Sequence, residues 1–477
     1  MGRVAGPGKA DLGTLFDPTS VAVVGASEDP GKLGSHVMRS LLNGGYKGAL
    51  YPVNPKRGEV MGMPSYPSLS EIPGEVDLCV MVLPAERIVS QIRSCISKGV
   101  KGVVLATSGF KEVDDPRGEA LQAEVGKMAT EAGIPIIGPN TFGLVNRHAD
   151  LNASFTPEFG LLKKGGVSLV SQSGGMCHLV AFLSMRSGIG FSKIVGLGNR
   201  CNMDFGDLIR YLHGDPTTKV IALYMEGIDD PRPMMEEARR CNGSKPVIAY
   251  KVGSSAVGDS ASRSHTGSMA GDHLAYRGAF RQAGILAVEG TEELLDAAKA
   301  LAMCPLPQGP GVAVVTGQAG PAMAACDVCE REGLRVVRFS PETQRKIYAL
   351  LPPLSLRDNP VDMGPAWYNM AALKRVIEAA IEDNGVHSVL LLMTYASANA
   401  GLAEGLVSML GDERWQKPVV ACMTAPPGVW DGKIERLEGM GALVNLPTPE
   451  RAARAAAALW KARSLMASPV AAHTMGP

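Results

Sequence analysis

The chain has 477 residues, enough for about three domains that each bury a core of their own. Its 47 Lys and Arg balance 47 Asp and Glu, so net charge gives no general attraction to nucleic acid or to an anionic membrane, and any anion site must be local. Apolar runs such as 76–83 and 100–105 are strand-length, far short of the ~20 residues of a membrane-spanning helix. The opening stretch 1–9 lacks the apolar run of a secretory signal, and nine scattered cysteines suit reduced thiols, so a cytoplasmic setting is expected.

In chain order, strand-like segments at 20–24, 51–54, 76–83, 102–106 and 134–137 alternate with amphipathic stretches at 34–42 and 85–98. That alternation predicts a parallel, doubly wound sheet, with ligands at the carboxyl ends of its strands. The first strand runs into Gly25-Ala26-Ser27-Glu-Asp-Pro-Gly31-Lys32-Leu-Gly34, a glycine turn with one lysine that opens a helix, where backbone amides can hold phosphate. The gap from Gly25 to Gly31 is too long for the nicotinamide G-x-G-x-x-G pattern. The second strand ends in Pro52-Val-Asn54-Pro55-Lys56 rather than in an acid. Asn54 and Lys56 suit a phosphorylated ribose, which points to CoA or NADP; a plain strand-to-helix turn is the alternative.

The polar, proline-containing stretch 146–164 reads as a linker. A second unit follows, with strands predicted at 166–170, 193–196, 220–224 and 246–250 and helices at 175–185, 207–213 and 233–241. Its first strand ends in Ser171-Gln-Ser173-Gly174-Gly175, where two hydroxyls and the amides of a helix start make an anion seat, although Ser173 caps a helix equally well without a ligand. Glu226 directly follows a strand and should stand at the sheet's carboxyl edge, either holding an imidazole nitrogen or serving as a surface or capping acid. His265 lies in Ser262-Arg-Ser-His-Thr-Gly-Ser-Met-Ala-Gly271 behind the glycine- and serine-rich stretch 253–261. Outside any apolar period, it reads as an exposed imidazole able to accept a phosphoryl group, or as an ordinary solvated loop histidine.

The Pro- and Gly-rich stretch 304–311 opens a third unit, with strands at 312–316, 334–339, 388–393 and 419–423, a third glycine turn after Thr316, and a tail after 466. Cys326 and Cys329 form a CxxC without a second pair, so no metal site is expected. The fold class is therefore α/β: three successive Rossmann- or flavodoxin-like doubly wound parallel-sheet domains, at 12–146, 147–304 and 311–465, then a tail at 466–477.

At these residues the chain resembles the α subunit of ADP-forming (NDP-forming) acyl-CoA synthetases, relatives of succinyl-CoA synthetase, over nearly all of 12–465. Ser264-His265-Thr-Gly-Ser-Met-Ala-Gly271 carries the resemblance furthest. It is supported by Val24-Gly-Ala-Ser27 with Lys32 and Gly34, Pro52-Val-Asn-Pro55, Leu83-Pro84, Ser108-Gly-Phe110, Gly138-Pro-Asn140, Ser171-Gln-Ser-Gly174, Gly198-Asn199 and Asn359-Pro-Val-Asp362.

The resemblance implies the reaction acid + CoA + ATP ⇌ acyl-CoA + ADP + phosphate, with His265 carrying phosphate between an acyl phosphate and the nucleotide. It implies a CoA site lined by Gly25, Ala26, Ser27, Lys32, Gly34, Asn54, Lys56, Leu83, Pro84, Ser108, Gly109 and Asn140. It further implies a phosphate seat at Ser171, Ser173, Gly174 and Gly175, with Glu226 positioning the histidine. No ATP-grasp segment of ~200 residues fits within three such units, so the ATP/ADP and Mg²⁺ site is expected on a separate β subunit, in an α2β2 assembly acting on a small carboxylic acid. One departure is visible: relatives tend to read Gly-Asn-x-Ala-Asp-Val-Asp where this chain has Gly198-Asn-Arg-Cys-Asn202-Met-Asp204. The competing readings are a non-catalytic CoA- or nucleotide-sensing Rossmann protein and an NADP-dependent oxidoreductase.

Overall fold

In the computed structural model, which describes residues 12–253, 255, 273–410 and 416–467, the chain divides into two compact units, Met1–Val288 and Glu289–Pro477. Among the described residues the first unit holds two large sheets and a short two-stranded one, Glu59–Val60 with Met63–Pro64, and the second unit holds one sheet.

The first sheet is built from β1 (Ser20–Val24), β2 (Ala49–Val53), β3 (Leu78–Met81), β4 (Gly102–Leu105) and β5 (Ile136–Ile137), in the order β2-β1-β3-β4-β5, all parallel. Strand β1 is buried along its whole length because both sheet faces are covered, which is why it reads as a continuous apolar run. Val21, Val23, Leu78 and Val80 pack on Val37, Met38 and Leu41 of helix α1 (Leu33–Gly44). Alternate residues Ala22, Val24, Cys79 and Met81 face Ile88, Ile92 and Cys95 of helix α2 (Ile88–Lys98). Each large aliphatic chain buried this way contributes roughly 1.5–3 kcal/mol. Helix α3 (Pro116–Glu131), which the sequence reading did not place, starts with the Asp115 carboxylate accepting from the Arg117 amide and with proline in its first turn.

The second sheet corrects two expectations. The stretch 146–164 read as a linker holds strand β7 (Leu151–Ser154), which pairs with β6 (Gly143–Asn146) just before it, and these two strands run antiparallel at the edge of a sheet that is otherwise parallel. With β8 (Lys164–Ser171), β9 (Phe191–Gly196), β10 (Val220–Met225), β11 (Val247–Lys251) and β12 (Ile285–Val288) the order is β12-β11-β10-β8-β9-β6-β7. The polar residues that suggested a linker are buried and satisfied within the fold. Asn146 Nδ2 donates to the Phe16 carbonyl at 2.9 Å, Asn152 Nδ2 to the Thr156 carbonyl at 3.0 Å, and Ser154 Oγ to Asn152 Oδ1 at 2.6 Å. One apolar cluster runs from Val23 and Met38 through Leu144 and Val170 to Ile221, so the two sheets share a core.

In each of the two large sheets the chain leaves one strand, β1 or β8, in one direction and returns on its other side, between β1 and β3 and between β8 and β10. These switch points leave crevices at the carboxyl ends of the strands, where ligands of open α/β sheets bind.

The second unit is a parallel sheet around β13 (Gly311–Thr316), whose neighbours are β14 (Arg335–Val336), β15 (Val361–Asp362) and β16 (Ser388–Thr394), followed by β17 (Val419–Thr424) and β18 (Val444–Asn445). The helix Thr291–Met303 belongs to this unit and is fastened within it: Arg451 grips the Asp296 carboxylate at 2.7 and 2.8 Å, and Lys299 meets Glu438 at 2.6 Å. Among the described residues no helix is long and apolar enough to cross a membrane, and no cluster of His, Cys, Asp and Glu could hold a metal.

Candidate active site

The carboxyl edges of the two sheets in the first unit open onto one cavity of about 350 Å³. From the first sheet's edge Ala106, Ser108 and Asn140 line it; from the second come Gln172, Ser173, Gly174, Gly175, Gly198 and Asn199; Leu33, Thr141, Phe142 and Phe155 complete the wall.

At the first turn, Gly25 has φ +96°, and the Gly25 amide donates to the Val53 carbonyl at 3.1 Å. A Cβ on Gly34 would lie 2.0 Å from the Gly25 carbonyl oxygen, so the start of α1 can approach the turn only as glycine. Asn54 Nδ2 donates to the Ala26 carbonyl at 2.8 Å and Asn54 Oδ1 accepts from the Lys56 amide at 2.9 Å, so this carboxamide ties the second strand end to the glycine turn. Ser27 Oγ accepts from the Asp29 amide at 3.1 Å, and Lys32 is exposed, 3.8 Å from Asp29. Lys56 is also exposed. Neighbouring edges are linked in series: Thr107 Oγ1 donates to the Leu83 carbonyl at 2.7 Å, and the Asn140 amide to the Thr107 carbonyl at 2.8 Å. Leu83, Ser108 and Asn140 thereby stand along one rim with Gly25, while Pro84 continues from Leu83 at the surface and Gly109 from Ser108 with φ +103°.

The second turn is built differently. Ser171 is buried and donates to the Ser173 carbonyl at 2.8 Å, and Ser173 caps helix α4 (Gly174–Ser187), accepting from the Met176 amide at 3.4 Å. A Cβ on Gly174 or Gly175 would meet nothing within 4 Å, and neither has a positive φ. Neither packing nor backbone conformation demands glycine here; the open space in front of the first amides of α4 is what these glycines preserve. A helix N-terminus facing such a space stabilises an anion. The glycine turn of the second unit contrasts with this: a Cβ on Gly317 would run into the Trp367 ring at 2.1 Å, so that glycine makes room for a side chain of its own domain.

Glu226 is buried, 7 % exposed, directly after β10. Gln172 Oε1 accepts from the Glu226 and Gly227 amides at 2.6 and 3.1 Å, bridging the switch point and fixing Glu226 beside the phosphate-type turn. Burial, and then the Glu226 charge, push the Tyr224 phenol above its ordinary range. His265 and its motif lie outside the described residues, so the distance from Glu226 to that imidazole is not part of the geometry.

Several participants were not singled out from the sequence. His178 on α4 sits among Phe142, Phe155, Phe159 and Phe182. Its Nδ1 is 2.7 Å from the Gly174 carbonyl and its Nε2 2.7 Å from Thr156 Oγ1. A carbonyl only accepts, so Nδ1 carries a proton and donates to it. The ring thus anchors Phe155 and the first turn of α4. Glu112 and Gln122 join Asn199, already named in the Gly198-Asn199 match, in a second network whose partners lie too far apart in sequence for spacing to reveal.

The family departure has a local reason. Asn202, 3 % exposed, accepts from the Ile136 amide at 3.0 Å and donates to the Ile134 carbonyl at 2.9 Å, pairing with the edge strand β5 as another strand would. An ionised aspartate could accept but not donate.

Three families match along the chain: "CoA binding domain" over residues 19–147, "Succinyl-CoA ligase like flavodoxin domain" over 164–301 and "Ligase-CoA domain" over 312–433. The chain is 38% identical over 459 residues to the Acetate–CoA ligase [ADP-forming] II subunit alpha of Pyrococcus furiosus, covering 94% of this chain and 97% of that one. It is 37% identical to the Acetate–CoA ligase [ADP-forming] I of Archaeoglobus fulgidus, covering 93% of this chain but 63% of that longer one. Among solved structures, the Ca. Korarchaeum cryptofilum dinucleotide forming Acetyl-coenzyme A synthetase 1 in complex with phosphate and ADP superposes with a TM-score of 0.87 at 35% identity, over 96% of this chain and 98% of that one.

Proposed function

Because the chain belongs to the ADP-forming acyl-CoA ligase α-subunit family, we propose that it is the CoA-binding, phosphohistidine-carrying subunit that converts a small carboxylic acid, CoA and ATP to acyl-CoA, ADP and phosphate. One observation carries the reading: the CoA-type rim at Ser108 and Asn140 and the anion seat at Ser173–Gly175 face the same cavity. A thiol delivered over the first rim therefore meets an acyl phosphate held at the second.

In this account the His265 imidazole takes the γ-phosphoryl of ATP held, with Mg²⁺, by an ATP-grasp β subunit: an N–P bond forms and the P–O bond to ADP breaks. His265 then passes the phosphoryl to a carboxylate oxygen of the acid, forming a P–O bond as N–P breaks. The thiolate of CoA attacks the acyl carbonyl, C–S forms, and the C–O bond to phosphate breaks. The amides at Ser173–Gly175 stabilise the charge that collects on the departing phosphate. Glu226 holds the imidazole in its reactive tautomer, as a carboxylate behind a histidine does. Gly25, Ala26, Ser27, Lys32, Gly34, Asn54, Lys56, Leu83, Pro84, Gly109 and Asn140 form or support the CoA rim, with Lys32 and Lys56 meeting its phosphates.

The proposed division of labour follows residues 12–146 for CoA, 147–304 for phosphate and the histidine, and 311–465 for the ligase-associated domain, in an α2β2 assembly in the cytoplasm. A non-catalytic CoA sensor has no use for the open space at Gly174 and Gly175. The test is to co-purify chain and β subunit and screen a panel of carboxylic acids with ATP, Mg²⁺ and CoA, reading thioester formation. Turnover with at least one acid is the expected result; CoA binding without turnover on any acid would refute the ligase assignment.

A further inference from the structure

The wall between the two turns contains a polar relay of half-buried Glu112 and buried Gln122 and Asn199 that neither turn needs for its own fold. Glu112 folds back on its own loop: its Oε1 accepts from the Gly109 amide at 2.6 Å, and both of its oxygens accept from the Phe110 amide at 3.2 Å. Its Oε2 also accepts from Asn199 Nδ2. From the other side Gln122 on α3 meets the same residue twice: Gln122 Oε1 accepts from Asn199 Nδ2 at 3.1 Å, and Gln122 Nε2 donates to the Asn199 carbonyl at 3.3 Å. Both side-chain N–H groups of Asn199 are thus engaged by acceptors. Turning the carboxamide over would set its oxygen against Glu112 Oε2 and Gln122 Oε1, so its orientation is fixed. Asn199 is 7 % exposed and lines the cavity. What it can offer a ligand is the acceptor Oδ1. That atom accepts from Asn140 Nδ2 at 3.4 Å, on a residue at φ +57°, which leaves the oxygen a second lone pair and the Asn140 amide a second N–H for a ligand.

A trans secondary amide points its N–H and C=O in opposite directions, so a neutral acceptor beside a neutral donor is complementary to the N–H of one amide and the C=O of the next. We propose that Glu112 and Gln122 are positioning residues that lock Asn199 so that Asn199 Oδ1 accepts from the N–H of one amide of the pantetheine arm of CoA while Asn140 Nδ2 donates to the C=O of the next amide along the arm. The proposal rests on the CoA reading above and adds to it the group that is read and the residues that set the reader. The arm is then held across the wall between the first rim and the Ser173–Gly175 seat, which aims the thiol at the acyl carbon. Glu112→Gln keeps an oxygen for the Gly109 and Phe110 amides but presents N–H to the Asn199 N–H groups, so it disturbs the carboxamide without emptying the site. Asn199→Ala removes the acceptor outright.

The experiment is calorimetric titration of the full chain and both variants with two probes: CoA, and adenosine 3′-phosphate 5′-diphosphate, which is CoA without the pantetheine arm. Loss of one well-placed hydrogen-bond partner should weaken CoA binding about tenfold in each variant while the armless probe binds within about twofold of the parent. Equal weakening for both probes would show a merely structural role and overturn the proposal, as would unchanged CoA affinity in both variants. Failure of the parent chain to bind CoA would instead defeat the CoA reading on which the proposal stands.

Discussion

Replacing Gly175 by alanine separates a structural glycine from one kept for a ligand. An added Cβ meets no atom within 4 Å, so the fold has room for it, and in the first turn of α4 alanine should stabilise by up to about 1 kcal/mol over glycine. The methyl nevertheless enters the space in front of the helix amides. A displacement of roughly 1 Å in a reacting group can cost about 10²-fold in rate. The expected phenotype is a parent-like or slightly raised melting temperature with thioester formation down about 10²-fold. Gly34→Ala is the mirror control: its Cβ would lie 2.0 Å from the Gly25 carbonyl oxygen, backbone against backbone, and relief requires the start of α1 to move away from the turn. Overpacking of that kind costs about 1–3 kcal/mol, and losing the Asn54 bond to Ala26 adds about 1 kcal/mol. Thermal unfolding and initial rates of CoA thioester formation, measured on both variants with the β subunit present, decide the matter. Full turnover in Gly175→Ala, or a loss of stability matching that of Gly34→Ala, would refute the anion seat.

Asn202→Asp places a carboxyl at a 3 % exposed site facing the Ile134 carbonyl. Its folded pKa must rise, so its stability contribution is present at low pH, where the protonated acid donates as the amide did, and is lost as pH climbs through the raised value. Unfolding free energies should show a deficit of about 1–3 kcal/mol that grows from pH 5 to pH 8; a pH-independent deficit contradicts this account. Asp215→Asn strands Lys193, which is 2 % exposed and 2.6 Å from that carboxylate. Burial opposes ionisation of Asp215, yet Lys193, Thr218 and Thr217 overcome it and hold its pKa down to about 2. Its folded value lies below the unfolded one, so its contribution is complete above about pH 4 and fades as pH falls toward 2. At neutral pH the variant should lose about 3–5 kcal/mol by denaturant titration, and a loss under about 1 kcal/mol would show that the pair matters little.

The strands and glycine turns of the first two sheets were legible because fully buried parallel strands leave unbroken apolar runs, and because Gly25, Gly34, Gly174 and Gly175 punctuate them where helices start. The hairpin at 143–154 was not, since Asn146, Asn152 and Ser154 look like loop residues until their buried partners are known. Helix α3 carries an Asp115-Pro116 start signal in its sequence, but its Gln122 matters only through Asn199, 77 positions on. Asn54 carries a contact that its type alone did not announce: its carboxamide joins the end of the second strand to the glycine turn. Residue type and local spacing reveal turns and strands; they do not reveal which carboxamide has its donors already taken.

The central claim is that His265 is the phosphoryl carrier served by the Ser173–Gly175 seat and by Glu226. Mass spectrometry of the chain after incubation with its β subunit, ATP and Mg²⁺ tests it most directly, with His265→Ala and Glu226→Gln run alongside. The account predicts one phosphoryl group on His265, none on the alanine variant, and labelling slowed about 10²-fold or more in the glutamine variant. Phosphoryl label that persists when His265 is replaced, or turnover that survives its loss, would contradict it.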